Sequence, residues 1–183
     1  MRGLDLTRHV STEDLGIAPN RGSPYGNSGG PDLARVLQAL RPEPSSAIID
    51  LGCGKGGALI TMASFPFARI CGVDLSADLL RVASENLRKC GLEGIELHCC
   101  DAADFADLDG FTHVYMYNPF PSPVMQAVMA NLRASLTRRP RSLTIIYKNP
   151  VCHEDVIGAL EFAEVRTFTH SSHPFVVYQY RCS

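Results

Sequence analysis

The sequence lacks an excess of charge of either sign: 17 Lys and Arg face 19 Asp and Glu, a net charge of −2 over 183 residues. That balance argues against a general nucleic-acid binder and against a polybasic membrane-surface protein. No apolar run approaches the ~20 residues of a membrane span. Residues 1–20 carry Asp5, Glu13 and Asp14 where a secretory signal would place an apolar stretch. The seven cysteines are odd in number, contain no CxxC pair, and mostly sit in apolar stretches, where cysteine acts as a small hydrophobe. A reducing, cytoplasmic compartment is expected, with no metal site. There is no internal repeat and no low-complexity tract. With 45% hydrophobic residues the chain is too apolar for disorder. A chain of this length forms one domain and buries about 70% of its unfolded surface, enough to need no staples.

What is present is a regular alternation. Residues 1–30, rich in Gly, Pro and Asn, hold no strand or helix period and form an arm, read either as a flexible terminus or as a lid over a ligand. Residues 31–183 form the single domain. Pro31 opens a helix ended by Pro42 and Pro44. Strands are expected at 47–51, 69–73, 95–100, 112–117 and 142–148, and helices at 56–65, 77–90, 122–136 and 151–160. Ser76 and Ser122 are the expected N-caps, and Gly91 the stop of the third helix. Two closing strands, 164–169 and 175–181, are expected to pair antiparallel. Such alternation means βαβ units around a parallel sheet, and the continuous apolar strands AIIDL and TIIYK fit burial on both faces.

The most informative stretch is Asp50-Leu51-Gly52-Cys53-Gly54-Lys55-Gly56-Gly57, between the first strand of the sheet and the next helix. Gly52, Gly54 and Gly57 satisfy a GxGxxG dinucleotide loop; Gly52, Gly54 and Gly56 satisfy GxGxG. A pyrophosphate at the helix N-terminus is poorly served by a carboxylate two residues before the first glycine. Asp50 suits a ligand carrying positive charge instead. Asp74 and Asp101 end the next two strands. In an open α/β sheet the strand carboxyl ends form the ligand crevice.

The run from Asp50 to Gly56 resembles the first motif of class I S-adenosylmethionine-dependent methyltransferases. The resemblance covers residues 31–181 and implies the Rossmann-like, doubly wound, mostly parallel seven-stranded sheet with an antiparallel last strand and helices on both faces. It implies that Asp50 holds the methionine end of S-adenosylmethionine, that Gly52, Cys53, Gly54 and Gly56 admit the nucleoside, and that Asp74 accepts from the ribose hydroxyls. Asp101 would accept from the adenine amine, the backbone at Ala102 would face the ring, and Leu75 would pack on it.

The fourth strand ends in Tyr117-Asn118-Pro119-Phe120. This resembles the [DN]PP[YF] motif of amino-group methyltransferases and the Tyr-Asn-Pro-Phe segment of small bacterial ones, although the aromatic stands one residue closer to the asparagine than in the former. The resemblance makes Asn118 and Phe120 catalytic, with Asn118 also touching the cofactor. Pro119, Phe120 and Asn149, the last from a second Asn-Pro pair, would touch the acceptor. Tyr25 in the arm is a further candidate catalytic residue. The cluster Arg138, Arg139 and Arg141 is read as a solvated loop. The expected function is methyl transfer to an amine of a small molecule or protein side chain, with no nucleic-acid partner. An O-methyltransferase, a non-catalytic cofactor-binding scaffold and a nicotinamide enzyme remain open.

Overall fold

Short strands buried on both faces need a helix layer on each side, and the amphipathic helices between them supply it. The computed structural model describes residues 3–182 apart from 8, 9, 12, 15–17 and 19. The described chain forms α1 (Pro31–Leu40), β1 (Ala47–Leu51), α2 (Gly57–Met62), β2 (Arg69–Asp74), α3 (Ala77–Lys89), β3 (Glu96–Cys99), β4 (His113–Tyr117), α4 (Ser122–Arg138), β5 (Leu143–Lys148), α5 (His153–Ile157), β6 (Glu164–Phe168) and β7 (Phe175–Tyr180). The sheet order is β3-β2-β1-β4-β5-β7-β6. All neighbouring strands are parallel except that β7 runs against both β5 and β6. This is the seven-stranded arrangement that the motifs implied.

One face of the sheet packs Leu33, Val36 and Leu37 of α1 and Leu59 and Met62 of α2 against Ile48, Tyr115 and Ile146. The other packs Met125, Val128, Met129, Leu132 and Leu136 of α4 against Ile49, Val114 and Ile145. The i, i+3, i+4, i+7 spacing on α4 therefore faces the core along its whole length. The order of winding reverses between β1 and β4. The carboxyl ends of these two strands consequently part and open a crevice.

Local details depart from the sequence reading. The helix after the glycine loop ends at Met62 rather than Phe65, and α5 holds only His153–Ile157, closing on Gly158. Pro121, not Ser122, is the N-cap of α4. Its fixed φ suits the entry, and the Ser122 hydroxyl instead accepts from Gln126 one turn on. Of the arginine cluster, Arg138 and Arg139 are exposed, as the solvated reading expected, and Arg141 is not. Arg138 pairs with Asp109 at 2.8 Å, and Arg141 donates to the carbonyls of Phe111, Leu108 and Arg139 at 2.7–2.9 Å. Arg141 thus clasps the loop before β4 to the end of α4. Among the described residues no helix is long and apolar enough to cross a membrane.

Candidate functional site

Three carboxylates stand where β1, β2 and β3 end. Asp50 is 2% exposed inside β1, flanked by Gly72 and Tyr115 on the neighbouring strands. Burial first, and the nearby Asp74 second, push its carboxyl well above the ordinary range. Asp74 closes β2, and its two oxygens accept from the Gly54 and Ser76 amides at 2.8 and 2.9 Å. Burial raises its pKa although these donors oppose the shift. One oxygen of Asp101 accepts from the Ala103 amide at 2.8 Å. The other, Oδ2, is buried and has no hydrogen-bond partner of good geometry, although the Arg21 guanidinium abuts it.

The glycine loop turns between β1 and α2 with Gly52, Gly54 and Gly56 at positive φ. Gly52 lies directly against Pro119, and a Cβ on Gly54 would meet the Tyr25 ring at 2.6 Å. The loop is thus pressed by the segment after β4 on one side and by the arm on the other. Between them is a cavity. Gly52, Cys53, Gly54, Asp74, Leu75, Asp101, Ala102, Asn118, Pro119, Phe120 and Tyr25, all expected from the sequence, line it.

Three expected residues do not reach it. Asp50 sits behind the loop, and Gly56 faces Ala83 on α3 rather than the cavity. Asn149 follows Lys148, whose register partner is Tyr117, yet it lines neither this cavity nor the next. Its backbone is left-handed, at φ 50°, and its N–H is taken by the Pro174 carbonyl at 2.9 Å. Asn118 is also left-handed, at φ 39°, which an asparagine tolerates better than most residues. Phe120 lines the cavity although its ring is packed in the α4-side core. None of the described histidines lines either cavity. His113 is buried, bonded to Thr112 at 2.9 Å, and pushed down to about 4 by burial, so it is a neutral core group.

Beyond the lid reading and Tyr25, the arm's contacts follow no pattern visible in the sequence. Residues 21–28 line the cavity without interruption. Ser23 donates to the Pro119 carbonyl at 2.9 Å, Tyr25 pairs with Val10, and the Tyr25 hydroxyl donates to the Leu6 carbonyl at 2.8 Å. Asp5 binds Lys55 of the glycine loop at 2.7 Å, and Asn86 of α3 bonds both the N–H and the carbonyl of Asp5. A second, open cavity adjoins the first. It shares Gly22, Ser23, Asn118 and Phe120 with it and continues to Val151, Cys152, Glu154 and Asp155. Among the described residues, Cys71, Glu96 and His98 hold potential ligand atoms within 4.8 Å of one another. Both Glu96 oxygens are engaged by Arg69, at 2.7 and 2.8 Å.

A reversed last strand, a glycine turn after β1 and an acid at the end of each of the first three strands define a class I, Rossmann-like methyltransferase. The methyltransferase-domain family matches residues 48–139, half of the chain, and the chain belongs to that family. S-adenosylmethionine is the methyl donor of this class. Among its relatives, the protein-L-isoaspartate O-methyltransferase of Aeropyrum pernix is 35% identical over 65 residues, 34% of this chain and 25% of that protein. The human EEF1A lysine methyltransferase 2 is 30% identical over 80 residues, 43% of this chain and 34% of that protein. The chain thus spans a quarter to a third of the length of these relatives. A solved RNA methyltransferase from Salinibacter ruber, in complex with S-adenosyl-L-homocysteine, shares the fold with a TM-score of 0.59. It is 21% identical, over 82% of this chain and 89% of that one.

Proposed function

We propose that this protein binds S-adenosylmethionine in the cavity between β1, β2, β3 and the arm, and transfers its methyl group to an amine nitrogen of a small molecule or protein side chain. The observation that carries the reading is the buried Asp101 carboxylate on the cavity wall, whose Oδ2 makes no hydrogen bond of good geometry although the half-exposed Arg21 guanidinium stands against it, with the acid-ended β2 beside it. A buried acceptor short of a well-aligned donor is costly, and an adenine amine would supply one. In this reading the Asp74 carboxylate takes the ribose hydroxyls, Leu75 and Ala102 flank the base, and the glycine loop lets the nucleoside approach. Asp50, destabilised as an anion by burial and by Asp74, lies behind the loop and would favour the ligand's cationic methionine end through its charge, across Gly52 and Cys53, rather than by contact. The bound group would supply a methyl carbon on a positively charged sulfur.

The protein's work is then alignment and exclusion of water rather than proton transfer. Asn118 and Phe120 stand where the two cavities meet, with Pro119 between them on the wall of the first. The Asn118 side-chain carbonyl would accept from the acceptor amine and hold its lone pair toward the methyl group. Phe120 and Tyr25 would shield that point. Two features support an amine over a hydroxyl or a nucleic acid. No described histidine lines either cavity, the placement a histidine base for a hydroxyl acceptor would take. The second cavity is lined by Glu154 and Asp155 and by no lysine or arginine, which favours a cationic acceptor over a phosphate backbone. Cys53, Cys71 and Cys152 are buried free thiols, which fits a reducing, cytoplasmic setting.

The test is methyl transfer from labelled S-adenosylmethionine to a panel of amines, alcohols, carboxylates and RNA. Amines should be the acceptors. Asn118→Gly, which keeps the left-handed turn, should lower kcat about a hundredfold while S-adenosylhomocysteine affinity changes far less. Labelling confined to RNA or to oxygen acceptors would overturn the amine reading. Absence of cofactor binding would overturn the whole of it.

A further inference from the structure

We infer that Arg21 is an internal competitor for the adenine place, an autoinhibitory contact that the incoming cofactor must displace. This rests on the cofactor reading above. Asp101 Oδ2 is the buried oxygen assigned there to the adenine amine, and the Arg21 guanidinium already stands against it. The two cannot use that oxygen together, because a guanidinium and an exocyclic amine are both donors.

The contact is not an isolated surface pair. The Asp101 side chain is 8% exposed and Arg21 is 44% exposed, so the arginine reaches inward from the arm to a buried acid. Arg21 begins the unbroken run of arm residues that lines the cavity. That run is tied down in sequence by Ser23 on Pro119, by Gly26 beside the Tyr117 ring and by Tyr25 on Gly54. Farther back, Asp5 anchors the arm to Lys55 and Asn86. The arm therefore has a fixed far end at the back of the glycine loop and a latch at the adenine end. The far end makes no contact with Asp101, so the latch can release while the Asp5 anchor holds. Exchange of the adenine amine for the guanidinium frees the run 21–28 at its latched end, so that entry of the nucleoside and loosening of that run become one event.

The experiment compares wild type with Arg21→Ala, by calorimetric titration with S-adenosylhomocysteine and by hydrogen exchange of the cofactor-free proteins. Removing the competitor should tighten S-adenosylhomocysteine binding about two- to fivefold, the range for a partly exposed ion pair. The gap should narrow at high salt, which screens the pair in wild type alone. In the cofactor-free variant, peptides covering residues 22–28 should exchange faster. Unchanged or weaker binding by Arg21→Ala would overturn the proposal. If neither protein binds S-adenosylhomocysteine, it is the cofactor reading that falls. The exchange comparison then decides the latch by itself: unchanged exchange of residues 22–28 refutes it, and faster exchange shows that Arg21 holds the arm.

Discussion

Replacing Gly54 by alanine tests how tightly the arm is seated on the glycine loop. Gly54 has φ +53°, and its added Cβ would lie 2.6 and 2.7 Å from two carbons of the Tyr25 ring. Holding a non-glycine residue in that left-handed conformation costs about 1–2 kcal/mol. The ring must also withdraw by about 1 Å to reach ordinary carbon–carbon contact. That withdrawal breaks the 2.8 Å bond from its hydroxyl to the Leu6 carbonyl, a loss of about 1 kcal/mol. The total is about 2–3 kcal/mol, or a fall in Tm of about 4–12 °C for a chain of this size. In a Tyr25→Ala background only the backbone cost remains, so a double-mutant cycle by urea denaturation should show coupling of about 1 kcal/mol. Titration with S-adenosylhomocysteine should show weakened binding by Gly54→Ala in both backgrounds, since the methyl group also narrows the cavity. Equal costs for Gly54→Ala with and without Tyr25 would refute the seating of the ring on the loop.

Three further outcomes follow from the same geometry. Burial raises the carboxyls of Asp50 and Asp74, so their contribution to folding is greatest in acid, below the ordinary carboxylate range, and is lost as pH rises through their folded titration. The urea midpoint of the cofactor-free protein should therefore fall, relative to that of Asp50→Asn, as pH rises above the ordinary carboxylate range; parallel profiles would contradict it. Leu132→Ala removes a fully buried side chain from the α4 core and should cost about 2–5 kcal/mol in urea unfolding, with no effect beyond that on cofactor affinity. Arg141→Ala deletes a charged clasp on three carbonyls and should cost about 2–3 kcal/mol, where a solvated arginine would cost almost nothing; calorimetric unfolding distinguishes the two.

The parts of the site that were legible in the sequence sit at strand ends. Asp74, Asp101 and Asn118 each follow a short apolar run, and the alternation of strands and helices alone brings such positions to one edge of a parallel sheet. The glycine loop was legible for the same reason, since it fills the turn from β1 to α2. What escaped is chemistry without a period. Arg21, Ser23 and Asp5 lie in an arm whose residues follow no repeat, and their partners, Asp101, Pro119 and Asn86, are far along the chain. Lys55 was visible as part of the loop, yet nothing in its neighbourhood in sequence points to Asp5. Asn149 shows the converse: the Asn-Pro pair repeats the pattern at Asn118, but its backbone N–H is spent on Pro174 and it lines neither cavity. Pro121 displaced Ser122 as a cap because a rigid φ can set a helix entry without any side-chain bond.

The reversed strand β7 has a consequence for how the chain is made. It lies between β5 and β6, and β6 pairs with β7 alone. Until β7 arrives, β5 presents the run Leu143-Thr144-Ile145-Ile146-Tyr147 with one edge open, and β6 has nothing to join. The strands β3-β2-β1-β4 need no later strand and can assemble first during synthesis on the ribosome. The outer edge of β5 then waits as an apolar, unpaired edge of the kind that recruits other chains. Point changes that slow the docking of β7 should therefore show themselves as lost yield of soluble protein at expression, before any defect appears in the purified enzyme.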